Sequence, residues 1–81
     1  LEEPRNRKLS DLDPGESARI VQVEDEDPEL LRYLASMRFV PGTSVRCVKK
    51  EPYEGPLTIR VGSKNHLIGP PLAARIFVSA P

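Results

Sequence analysis

Carboxylates gather at one point in this sequence, where they could hold a cation or start a helix: Glu24-Asp25-Glu26-Asp27 runs into Pro28 and Glu29. Carboxylate oxygens are hard donors that suit ions such as Mn(II) or Fe(II), though they hold them loosely without other ligand types. The same residues also make a helix start. Asp suits the N-cap and Pro the first helical position, and acidic groups in the first turn complement the helix dipole by about 0.3–1 kcal/mol each. The residues alone leave two readings: a capped helix, or a weak oxygen site.

Two further groups could do chemistry by type but not by company. His66 lies between Asn65 and Leu67, with no carboxylate or second His near it in sequence, and is expected as a solvent-facing strand residue. Cys47 is the only cysteine and sits among valines, where a thiol serves as a small hydrophobe. One cysteine forms no internal disulfide and no Cys-rich zinc or iron–sulfur site, which suits a reducing cytoplasm. A third segment, Lys49-Lys50-Glu51-Pro52-Tyr53-Glu54-Gly55-Pro56, joins a basic pair to an aromatic between prolines. It reads either as a rigid surface loop or as a partner-binding loop carried by Lys49, Lys50 and Tyr53. A groove for proline-rich peptides is not expected, since the aromatics are only Tyr33, Tyr53, Phe39 and Phe77, with both Phe residues assigned to the core. No Ser-His-Asp set, Gly-rich phosphate loop, HExxH or paired-Cys motif occurs, so no enzyme is expected.

The chain's size and charge narrow the field further. Eighty-one residues hold one small domain. Twelve Lys plus Arg offset twelve Asp plus Glu, so the uniformly basic surface of a phosphate-gripping domain is missing and direct nucleic-acid contact is not expected. No apolar run approaches the roughly 20 residues that cross a bilayer as a helix, and membrane insertion is not expected.

The elements that position these groups are legible from periodicity. Residues 1–8, ending Arg5-Asn6-Arg7-Lys8, lack apolar spacing and read as a flexible linker or tail, leaving 9–81 as the domain. Leu9 and Leu12, ahead of the turn former Asp13-Pro14-Gly15, predict one helical turn docked on the core. Ala18–Val23 alternates as a strand, with Ala18, Ile20 and Gln22 on one side. Leu30, Leu31, Leu34 and Met37 form one stripe of a helix of about ten residues ended by Pro41-Gly42. Ser44–Lys50 resumes alternation with Val45, Cys47 and Lys49 on one face. Leu57–Val61 and His66–Ile68 make a hairpin around a turn at Gly62–Asn65, a short turn follows Gly69-Pro70-Pro71, and Arg75–Val78 closes the fold. The expected class is mostly β, a small partly open barrel of about five strands with one short α-helix inserted after the first.

These residues also carry a resemblance. Leu9-Ser10-Asp11-Leu12-x-Pro14-Gly15-Glu16, Ile20-Val21, Phe39-Val40-Pro41-Gly42-Thr43, Pro56-Leu57-Thr58-Ile59-Arg60-Val61-Gly62 and Ile68-Gly69-x-x-Leu72-Ala73-x-x-Ile76-Phe77-Val78 resemble the FeoA-like domain, an SH3-like barrel, over roughly residues 9 to 78. Such domains stand alone, linked to the ferrous-iron transporter FeoB, or follow the winged-helix and dimerisation domains of DtxR-type metal-dependent repressors. The stretch Asp25–Leu34, and a charged leader that looks like an interdomain linker cut at Leu1, are more like the repressor-borne form. That resemblance implies a cytoplasmic, non-catalytic accessory domain. It would modulate repression by a parent protein that senses Fe(II) or Mn(II), through contacts with other domains of that repressor or with its dimer mate, and would bind no cofactor tightly by itself. The free-standing alternative implies FeoB as partner. In the repressors a Glu and a Gln three residues apart lead into this helix and reach a metal. Here one register places Asp27 and Leu30 at those positions and the other Glu26 and Glu29, making Glu26, Asp27 and Glu29 the candidate ligands.

Overall fold

The computed structural model describes residues 7–80. Strands β1 (Arg7–Lys8), β2 (Ser17–Val23), β3 (Ser44–Lys50), β4 (Leu57–Val61), β5 (Lys64–Ile68) and β6 (Ile76–Ser79) form one six-stranded antiparallel sheet in the order β1-β6-β2-β3-β4-β5. Helix α1 (Pro28–Ser36) joins β2 to β3, and the single-turn α2 (Pro70–Ala73) precedes β6. The mostly β class with one short helix after the first long strand follows the sequence expectation. The additional strand is β1.

Arg7 and Lys8, read as the end of a linker, pair with Val78 and Phe77. What holds them is polar. The Arg7 guanidinium donates both its Nη groups to the Glu16 carboxylate at 3.0 and 3.1 Å and reaches the Asp11 carbonyl at 2.7 Å, while Glu16 Oε1 also accepts the Asp13 N–H at 2.8 Å. The Arg7 hydrogen bonds and the Asp13 N–H hold the Glu16 carboxyl down to about 2. A depressed carboxylate contributes stability that is complete above its unfolded pKa, ordinarily 4.5, and is lost as the pH falls from there toward 2. Glu16→Gln is therefore expected to flatten this acid limb of the urea midpoint measured against pH; superimposable profiles would show that the pair does not anchor β1.

Leu9 opens a 3₁₀ turn (Leu9–Asp11) that Leu12 follows, and both are fully buried, as their spacing predicts. They join Ala18, Ile20, Leu34, Phe39, Val45, Cys47, Leu57, Ile59, Ile68, Ala73, Ile76 and Val78 in one core. Two irregularities break the predicted alternation. The β2–β6 register slips between Ile20 and Gln22, so Val23 packs on the core and Gln22 is exposed. The β3–β4 register slips between Cys47 and Lys49, placing Lys49 opposite Thr58 and Lys50 opposite the buried Leu57. A bulge adds one residue to one strand and inverts the facing beyond it, so Lys50, not Lys49, continues the core side of β3. The hairpin turn is Gly62-Ser63 alone, with positive φ at Gly62, and Lys64 and Asn65 already belong to β5.

Helix α1 ends earlier than Pro41-Gly42. Its last turn closes at Arg38, where the Arg38 N–H donates to the Ala35 carbonyl and the Phe39 N–H to the Leu34 carbonyl, both at 2.9 Å. This is a Schellman closure, and it puts Arg38 at φ 67° in the position usually held by glycine. Phe39 is thereby delivered into the core beside Leu34. An L side chain in the left-handed region costs about 1 kcal/mol relative to glycine. Arg38→Gly is thus expected to raise the melting temperature by roughly 4 °C, and a lower melting temperature would contradict the cap.

Candidate functional site

At the entry to α1 the acidic run is drawn into local structure. Asp27 Oδ1 accepts the Glu29 N–H at 3.0 Å as the helix N-cap, and Asp25 Oδ1 accepts the Asp27 N–H at 2.8 Å. Asp25 also forms an ion pair with Arg75, and the Asp27 N–H, followed by Arg75, lowers its carboxyl pKa. The Glu24 N–H meanwhile bonds the Arg75 carbonyl at 2.8 Å, pinning the segment to the start of β6. These contacts carry the capping reading. Of the three candidate ligands, Asp27 is engaged as the cap, while Glu26 and Glu29 are exposed. Leu30, the partner of Asp27 in one register, packs against the core and brings no donor. Among the described residues no three His, Cys, Asp or Glu side chains converge on a point that could hold a metal ion.

His66 is half-buried rather than solvent-facing. It sits on the inner side of β5 with Ile68 and meets Phe39 edge to face, ring centroids 5.5 Å apart. Its lone position in sequence gave no hint of this, because its aromatic partner is delivered by the α1 cap. Cys47 is fully buried, its Sγ 3.8 Å from the Lys49 carbonyl, and burial pushes its thiol pKa up. Phe77, assigned to the core, is only half-buried on the far face of β6.

The loop between β3 and β4 forms the second candidate. Tyr53 and Glu54 both have positive φ, 58° and 60°, and the Gly55 N–H bonds the Pro52 carbonyl at 3.2 Å. This is the pattern of a type I′ turn, ordinarily built from Asn and Gly. Gly55 is required for close approach, since a Cβ there would lie 2.6 Å from Glu51 Cβ. The turn holds Tyr53 97% exposed. Between this loop and α2 runs a groove of about 840 Å³ whose walls include Lys50, Pro52, Tyr53, Leu57, Pro70 and Pro71. The structure brings Lys50 and Tyr53 together at this groove. Lys49 instead pairs with Glu51 at 3.0 Å and is not among its lining residues. The Pro70-Pro71 wall carries no signal in the sequence, where Gly69-Pro70-Pro71 reads only as a turn.

A groove bounded by an exposed tyrosine, prolines, one lysine and the carboxylates of Glu51 and Glu54 can seat a protein segment. Among the described residues no helix is long and apolar enough to cross a membrane.

The fold recurs in solved structures. A manganese-dependent transcriptional repressor is 25% identical over 100% of this chain with a TM-score of 0.86, although the chain covers 45% of that repressor. Iron(II) transport protein A of Clostridium thermocellum is 35% identical over 91% of this chain and 45% of its own, with a TM-score of 0.85. The zinc-complexed FeoA of Stenotrophomonas maltophilia, described as a prokaryotic SH3 domain protein, is 32% identical over 90% of this chain and 89% of its own, with a TM-score of 0.78. No curated protein matches. The chain spans less than half the length of the first two of these structures, and as a mostly β, SH3-like unit matched from residue 7 to residue 80 by the model of the FeoA domain, it belongs to the FeoA domain family.

Proposed function

We propose that this domain is a non-catalytic regulatory module of iron or manganese homeostasis, acting by protein contact as an accessory domain of a DtxR-type metal-dependent repressor. The observation that carries the contact role is the groove beside Tyr53, where the loop conformation strains two non-glycine residues to present a fully exposed aromatic. Support for the repressor setting comes from the manganese-dependent repressor whose match, at a TM-score of 0.86, covers 100% of this chain. In that setting Lys50 and Tyr53 meet another domain of the parent or its dimer mate, and the parent senses Fe(II) or Mn(II). Glu26 and Glu29 supply two exposed carboxylates, which need ligands from another domain to complete a site. DNA reading belongs to the other domains.

One observation favours a second setting. Identity to two iron-transport relatives, 35% and 32%, is higher than to the repressor, 25%. In that reading the module regulates the ferrous-iron transporter FeoB from the cytoplasmic side.

A chromosomal Tyr53→Ala exchange tests both readings, with metal-responsive transcripts and ferrous-iron uptake measured in the same cells. Several-fold derepression in Mn(II)- or Fe(II)-replete medium supports the repressor setting. Loss of uptake at unchanged transcript levels supports the transporter setting and overturns the first. Wild-type behaviour in both would remove the groove from the mechanism.

A further inference from the structure

The end of α1 and the β4–β5 hairpin enclose a second cleft, of about 620 Å³, on which the regulatory reading does not draw. Arg38, Lys64 and His66 line it, with Thr43, Ser44 and Ser63 between them. No carboxylate lines it, in a chain whose charges sum to zero. Every Asp and Glu among the described residues lies within 11–29 or in the Glu51–Glu54 loop. Neither Arg38 nor Lys64 makes an ion pair among the described residues. The two cations therefore face a shared space with hydroxyl donors and no counterion from the chain.

Arg38 adds a second, independent observation. It occupies the left-handed position that closes α1, where glycine would be less strained, and its side chain is exposed. Neither an ion pair nor burial offsets that conformational cost. The helix closure needs only the backbone conformation, which glycine adopts with less strain, so an arginine there whose side chain gains no burial or ion pair points to a role for that side chain. A guanidinium presents a planar fork that matches two oxygens of one anion, and an ammonium beside it adds a point charge.

We propose that this cleft binds a compact oxyanion, a phosphate group free or carried on a small molecule. Arg38 grips two oxygens, Lys64 neutralises charge, and the hydroxyls of Thr43, Ser44 and Ser63 together with the imidazole of His66 offer further donors. Val61 and Met37 give the cleft a small apolar wall that would face the carrier. The volume falls within the range of small-molecule sites, and the cationic lining is too local to follow a duplex backbone.

The test is an NMR titration of the full 81-residue chain with inorganic phosphate and with glycerol 3-phosphate, ionic strength held constant with sodium chloride. Saturable amide shifts confined to the Arg38, Thr43–Ser44 and Ser63–His66 segments are expected. Arg38→Gly should weaken binding at least tenfold while raising the melting temperature, so its loss of binding cannot come from unfolding. Lys64→Ala should weaken binding severalfold, and Arg60→Ala, outside the cleft, should leave it unchanged. Preference for glycerol 3-phosphate would assign a carried phosphate, and equal binding a free one. Shifts that merely track chloride, wild-type affinity in Arg38→Gly, or binding only to phosphatidic acid vesicles would each overturn the proposal.

Discussion

Phe39→Ala is expected to bring the domain to the edge of unfolding, with a loss of about 3–5 kcal/mol. Phe39 is 1% exposed and ranks first by volume among the fully buried side chains. It enters the core directly from the Schellman closure of α1 and supports the His66 ring on its edge. Truncation would leave a cavity bounded by strands of the sheet on one side and the helix end on the other, neither of which can close inward without breaking the cap. A domain of this size is stable by only about 4–12 kcal/mol, so the urea midpoint should fall by about a quarter or more. Tyr53→Ala, at 97% exposure, should leave the unfolding free energy within about 0.5 kcal/mol of wild type. A Phe39→Ala midpoint close to wild type would mean that α1 does not close on the core through this residue.

The contrast shows what could be read in advance. Apolar spacing sufficed for the 3₁₀ turn, the helix and the five strands β2 to β6, because a period of two or of 3.6 residues is visible wherever one face is buried. It failed at the two bulges. Nothing in Gln22-Val23 or Lys49-Lys50 marks an inserted residue, and each bulge inverted the facing of what followed. That inversion decided the candidate surface, since it moved Lys50 to the groove and left Lys49 with Glu51. The helix end was misplaced for a related reason: an arginine at the left-handed closing position carries no sequence signal, whereas Pro41-Gly42 five residues on from Ser36 does. β1 was missed because two residues have no period, and their anchor, Glu16, lies across a turn.

Cys47 should resist thiol reagents in the native protein by a factor on the order of 10³ or more relative to the urea-unfolded chain. Attack requires a thiolate in contact with water, and Cys47 satisfies neither condition: it is fully buried, and desolvation raises its pKa. Its backbone is also held on the β2 side, its N–H on the Glu16 carbonyl at 2.9 Å and its carbonyl on the Gly15 N–H at 2.7 Å, while its register partner across β4 is the buried Ile59. No exposed edge of the sheet lies beside it, so modification must wait for an opening that breaks the sheet on both sides. Labelling rates, measured with a disulfide reagent across urea concentrations, should therefore follow global unfolding with the same urea dependence. Phe39→Ala should accelerate native labelling by the factor that its stability loss dictates, whereas Glu16→Gln at neutral pH should do so far less, because its ion pair is exposed. Labelling insensitive to urea, or native reactivity within tenfold of the unfolded chain, would show that β3 opens locally and that the interior of this sheet is not one cooperative unit.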